Sequence, residues 1–117
     1  MIKPDGRLIL LDFESSCRGH YINDIAIVIY YATLHDLSQG DTQFNESFLT
    51  AFWRGYEAEH RVPEDELRHI PWLLLYRSLM VYSFVTQLWA DEPDDEQQRH
   101  LDKVARSVEA ARTLVGT

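Results

Sequence analysis

A chain of 117 residues and 13.7 kDa has room for one domain, and its hydrophobic fraction of 45% and charged fraction of 26% are ordinary for a folded protein. Three Trp, six Tyr and five Phe supply the bulk for a core without disulfide staples. The net charge of −8 at pH 7 argues against a nucleic-acid partner, because phosphate binding needs clustered Lys and Arg and the eleven bases here are scattered among nineteen acids.

Taken in chain order, Lys3-Pro4-Asp5-Gly6 carries a turn signature. The mostly apolar run that follows, Arg7 to Glu14, ends in carboxylates and predicts a short buried strand, paired with Met1 to Lys3 in a hairpin. Residues 15–23 are mainly polar and read as a loop. Asp24 to Leu34 is rich in β-branched and aromatic residues, which favours a strand. Its eleven residues without a turn signal, opened by Asn23 or Asp24 as a cap, favour a buried helix instead, and a helix is the reading adopted. After the break at Ser38-Gln39-Gly40-Asp41, Phe44, Phe48, Leu49, Phe52, Trp53 and Tyr56 recur at helical spacing as one aromatic stripe. A further helix opens at Pro63 with Glu64, Asp65 and Glu66 in its first turn, where the helix dipole favours acids. Pro71 lacks an N–H and should kink or restart that helix. Trp72 through Trp89 is apolar nearly all round, which predicts a central, buried helix. A last helix starts after Pro93, with Leu101, Val104, Ala105, Val108, Ala111 and Val115 as its core stripe. The expected fold is mainly α: a short strand or hairpin over residues 1–14, a loop over 15–23, and four to five helices over 24–117, all in one domain.

The single cysteine, Cys17, excludes an internal disulfide and a multi-cysteine zinc cage. The polar opening is unlike a secretory signal, and the longest apolar stretch, Leu73 to Val85, is interrupted by Arg77, Ser78 and Ser83. The expectation is a cytoplasmic protein with no membrane partner.

Chemistry concentrates at Asp12-Phe13-Glu14. On an extended backbone residues i and i+2 point to the same side, so Asp12 and Glu14 would offer two carboxylates to one point at the end of the strand. Two hard oxygen donors with an open side suit a Mg²⁺ ion that keeps waters and takes phosphate oxygens. Alone the pattern is short, and a strand ending in solvated acids would look the same.

Its surroundings add to it. The stretch Asp5-Gly6-Arg7-Leu8-Ile9-Leu10-Leu11-Asp12-Phe13-Glu14, followed ten residues after Glu14 by Asp24-Ile25-Ala26, resembles the aminoglycoside phosphotransferase and choline kinase superfamily. These are small-molecule kinases with a fold similar to that of protein kinases. The resemblance implies that Asp12 binds the magnesium of ATP, that Glu14 is a second ligand, and that Asp24 is a buried residue bracing the neighbouring catalytic loop. Phe48-Leu49, Phe52 and Gly55-Tyr56 are similar to a Phe-Leu…Gly-Tyr helix of the same enzymes, and the Pro71 helix with its internal Arg77 fits them too. The specific part of the resemblance is residues 5–26.

Phosphoryl transfer also needs a loop over the phosphates, a Lys on them and a base for the acceptor hydroxyl. In the family these come from an amino-terminal lobe and from a His-x-Asp…Asn segment shortly before the strand. The expectation is therefore a carboxyl-terminal portion of such a kinase, inactive by itself and with no catalytic residue of its own. ATP and Mg²⁺ would be cofactors of the parent enzyme, and its acceptor a small hydroxylated molecule, cationic if the acidic surface serves it. The surface that faced the missing parts should favour self-association. The alternative is a stand-alone, non-catalytic helical interaction module derived from such a lobe. The loop Arg18-Gly19-His20-Tyr21-Ile22-Asn23 departs from the family's Gly-Asp-Pro and leaves the substrate class open.

Other residues read as structural. Cys17 and His20 lack a third orienting group for nucleophilic catalysis. His35, His60, His69 and His100 have no metal-like spacing. Arg77, inside an apolar helix, is expected to pair with an acid or reach the surface. The stripe from Phe44 to Tyr56 is expected to be core; Glu57 and Glu59 stand beside it should it instead cage a cation.

Overall fold

The computed structural model describes residues 1–11, 18–34 and 42–116. The fold is mainly α, as expected, with five helical segments among the described residues: α1 (Tyr21–Ala32), α2 (Thr42–Glu59), α3 (Glu64–Leu67), α4 (Ile70–Leu88) and α5 (Asp95–Val115).

No strand forms among the described residues. A tight hairpin does: Ile2 and Leu8 make one isolated antiparallel bridge, and Met1 and Ile9 exchange backbone hydrogen bonds of 3.1 and 3.0 Å. The Gly6 N–H donates to the Lys3 carbonyl at 2.9 Å, and Gly6 has φ +83°, a left-handed value that favours glycine. Asp5 braces the turn, accepting from the Arg7 N–H at 3.1 Å and from Arg7 Nε at 2.7 Å. Leu8, Leu10 and Leu11 are exposed rather than buried, so the segment is not the buried strand that was expected.

α1 is a helix despite its β-branched content, because burial outweighs propensity. Ile22, Ile25, Ala26 and Tyr30 recur at helical spacing and are all buried. The helix begins earlier than expected: neither Asn23 nor Asp24 caps it, and the N-cap is His20, whose side chain accepts from the Ile22 N–H at 3.3 Å.

α3 is a single turn ending before Arg68, and Pro71 sits in the first turn of α4, so the proline restarts the helix. α5 opens on a reciprocal capping box. Asp94 accepts from the Gln97 N–H at 2.8 Å, and Gln97 Oε1 accepts from the Asp94 N–H at 3.0 Å. It closes on Gly116 in the left-handed conformation.

α4 lies between α1 and α5 and packs on both. Leu74 joins Ala26 and Tyr30 in one core cluster; Ile22, Ile25 and Val62 form another, with Phe52, Trp53 and Tyr56 of α2 packed against it. From α5, Val104, Ser107 and Ala111 are buried. The expectation that α4 is buried all round is overturned, since only Leu74, Ser78 and Val85 are buried along it. Trp72, Tyr76, Met80, Phe84 and Leu88 are exposed, because α1 and α5 cover one side of the helix and leave this row outside.

Candidate functional site

Asp12, Glu14 and Cys17 lie outside the described residues, as do His35 and the side chain of Phe44. What is described is the frame on either side of the Asp12–Glu14 segment. The hairpin delivers the chain at Leu11, and α1 receives it from His20.

The α1 entry is held by His20 through three contacts. Nδ1 accepts the Ile22 N–H, so it carries no proton in that contact, and the neutral ring bears its proton on Nε2. Nε2 lies 3.4 Å from a carboxylate oxygen of Glu66 in α3. The ring stacks on Tyr21 with centroids 4.7 Å apart, and Tyr21 meets the edge of His60 at 4.8 Å. Tyr56 also packs edge-on against His60, at 6.0 Å. Burial raises the Tyr21 phenol above its ordinary value, helped by the negative charge of Glu66. This imidazole–phenol ladder ties the start of α1 to the end of α2 and to α3. Sequence reading set His20 aside for want of a third orienting group and His60 for want of metal spacing; a cap at His20 had no signal, since histidine is not a preferred N-cap residue.

Asp24 stands in the first turn of α1 and is exposed. The resemblance implied a buried residue. Its neighbours Ile22, Ile25 and Ala26 turn the opposite face of the helix into the core, which points the carboxylate outward, where a negative charge is favoured by the helix N-terminus.

Arg77 does not pair with an acid among the described residues. Its Nη2 donates to the Tyr31 hydroxyl at 2.9 Å, and its guanidinium carbon lies 5.4 Å from the centroid of the same ring. Beside it Tyr30 is fully buried, and burial, with Tyr31 next in effect, pushes its phenol up to about 12. Ser107 answers the buried end of α1, donating to the Leu34 carbonyl at 2.7 Å. These contacts lock α1, α4 and α5 together and leave Arg77 a structural residue.

The aromatic stripe of α2 is core on one side and open on the other. Phe52 and Trp53, with Ile29 of α1, line a cleft of about 570 Å³ edged by Arg54 and Glu57. Glu59 lies instead at a separate surface hollow with Tyr56 and His60. Among the described residues no group of three or more His, Cys, Asp or Glu side chains could hold a metal ion. No described helix is long and apolar enough to cross a membrane.

No family model matches the chain, and no solved structure matches it. Among curated proteins it is similar to amicoumacin kinase of Bacillus subtilis (strain 168), with 26% identity over 98 residues. The match covers 82% of this chain but only 29% of that kinase, at its carboxyl-terminal end. The chain thus spans less than a third of the length of its relative.

Proposed function

We propose that this chain is the helical, carboxyl-terminal part of an ATP-dependent small-molecule phosphotransferase related to the aminoglycoside phosphotransferases and choline kinases. The observation that carries the reading is the likeness to amicoumacin kinase over 82% of the chain. The Asp12-Phe13-Glu14 and Asp24-Ile25-Ala26 motifs give that likeness a chemical content.

In this reading Asp12 and Glu14 are the residues that would hold the Mg²⁺ of ATP. The donor set fits that ion, since two carboxylates are hard oxygen ligands that leave positions for water and phosphate oxygens. Such an ion would supply charge neutralisation for the transferring phosphoryl group. The chain's own part is to aim the two carboxylates. The hairpin braced by Asp5 precedes their segment in the chain, and the His20 clasp follows it. Asp24, exposed in the first turn of α1, would in this reading accept hydrogen bonds from a catalytic loop supplied by the rest of the enzyme. The acceptor is a small hydroxylated molecule, and the α2 side of the chain faces it. Phe52 and Trp53 would give it an apolar wall, with Glu57 and Arg54 of opposite charge at the edge of the cleft; a positive charge on the acceptor would face Glu57.

The 117-residue chain by itself is inactive on this account. The test is ATP-dependent transfer to amino-sugar and amino-alcohol acceptors by a protein that includes the coding sequence upstream of Met1. Asp12→Ala should abolish the transfer, and activity that survives the change defeats the reading. The exposed apolar row along α4 accords with this reading rather than with a stand-alone interaction module, since a portion of a larger fold leaves open a surface that favours self-association.

A further inference from the structure

α4 presents Trp72, Tyr76, Met80, Phe84 and Leu88 to solvent, each between 46% and 66% exposed. They are spaced by four residues, so they form one continuous ridge along the side of the helix turned away from α1 and α5. Three aromatic and two aliphatic side chains exposed to that degree amount to about 500 Å² of apolar surface, near the top of what a monomer carries in one patch. α4 contains one charged residue, Arg77, and its guanidinium is turned to Tyr31 of α1. The ridge itself is uncharged, although the chain carries a net charge of −8.

We propose that this ridge is the docking surface for a second copy of the chain, through an isologous α4–α4 contact whose two-fold axis passes close to Met80. Ridges of i±4 spacing interdigitate with one another at a crossing angle of about −50°, the commonest way for two helices to pack. A two-fold axis at the midpoint of the row sets Met80 against its own copy. It places Tyr76 of each chain near Phe84 of the other, with Trp72 and Leu88 flanking the crossing. Covering both ridges removes about 1,000 Å² from water, the lower bound for a specific interface. With no charge on the ridge there is no like-charge contact at the crossing. The repulsion between two acidic chains acts at longer range and is screened by salt. The inference rests on α4 alone and does not depend on the phosphotransferase reading.

Sedimentation equilibrium of the 117-residue chain tests it. The wild type should be a dimer at tens of micromolar, bound more tightly as NaCl is raised. Phe84→Glu should weaken the dimer at least about tenfold while leaving the far-ultraviolet circular dichroism unchanged. In a Cys17→Ser background, Met80→Cys should form an interchain disulfide under mild oxidation. Ala110→Cys, on the exposed side of α5, should not. A monomeric wild type, a dimer indifferent to Phe84→Glu, or equal cross-linking from both cysteines overturns the proposal. So does a longer polypeptide that is monomeric with α4 protected from hydrogen exchange, since an intramolecular segment would then occupy the ridge.

Discussion

The guanidinium of Arg77 lies over the ring of Tyr31, 5.4 Å from its centroid, and donates a 2.9 Å hydrogen bond to that ring's own hydroxyl. One tyrosine on α1 therefore takes the place of the acid that a charge in an apolar helix was expected to need. Arg77 Nε, buried, has no hydrogen-bond partner among the described residues, where the Tyr31 contact carries most of the compensation for burying this group. Tyr31→Phe should cost about 1.5–3 kcal/mol in urea unfolding, the range for a hydrogen bond to a charged group. A double-mutant cycle with Arg77→Met should give a coupling of about 1–2 kcal/mol. Simple additivity would mean that the pair does not hold α1 to α4.

Tyr30 makes stability depend on alkaline pH. Its phenol is pushed up to about 12 in the folded chain from an ordinary 10.0. Below pH 10 both folded and unfolded states keep the proton, and the contribution is whole. Between pH 10 and 12 only the unfolded state ionises, so stability falls with a slope of up to about 1.4 kcal/mol per pH unit from this one group. Tyr30→Phe should flatten that part of the profile. An unchanged slope would show that the ring is not held neutral by the core.

His20 is predicted to matter for α1 rather than for chemistry. His20→Ala should destabilise the chain by about 1 kcal/mol, as loss of an N-cap does, whereas His20→Asn, a good capping residue, should restore much of it. The check is thermal unfolding with amide hydrogen exchange at Ile22, which should quicken in the alanine variant and recover in the asparagine one. Equal loss in both variants would assign the stability to the Glu66 and Tyr21 contacts instead.

The fold was legible in the sequence where its signals are local. α5 could be read almost completely, since its acidic start and its Val104 and Ala111 stripe are local signals that its packing agrees with. α1 was an open choice between strand and helix, decided by where Ile22, Ile25, Ala26 and Tyr30 fall when wound at helical period. The strand at Leu8 could not be judged from its own residues, because a strand is defined by its partner and Met1 to Lys3 supplies one bridge. The burial of α4 was misread for a related reason. Apolar composition tells what a helix can bury, and only its neighbours decide what it does bury. The partner of Arg77 and the cap at His20 are tertiary or atypical contacts with no signature in spacing. Of the candidate site, the frame is described and Asp24 is placed at the surface of α1, while Asp12 and Glu14 rest on the sequence.

The Asp94 capping box offers a control on these energies, distant in sequence from the candidate site. Asp94→Ala should cost about 1 kcal/mol in urea unfolding and leave the hairpin and α1 contacts unaltered. A loss of hydrogen-exchange protection spreading to α1 would mean that the fold is too marginal for single-site arguments.

The central claim is that Asp12 is a metal-binding residue of a phosphotransferase. Its most direct test is the rate of phosphate transfer from Mg²⁺·ATP to a hydroxylated amine, measured on the protein that carries this chain together with its upstream coding sequence. The account predicts measurable transfer by the wild type, lowered at least about a hundredfold by Asp12→Ala with helicity unchanged. Transfer that persists at the wild-type rate after Asp12→Ala would contradict it.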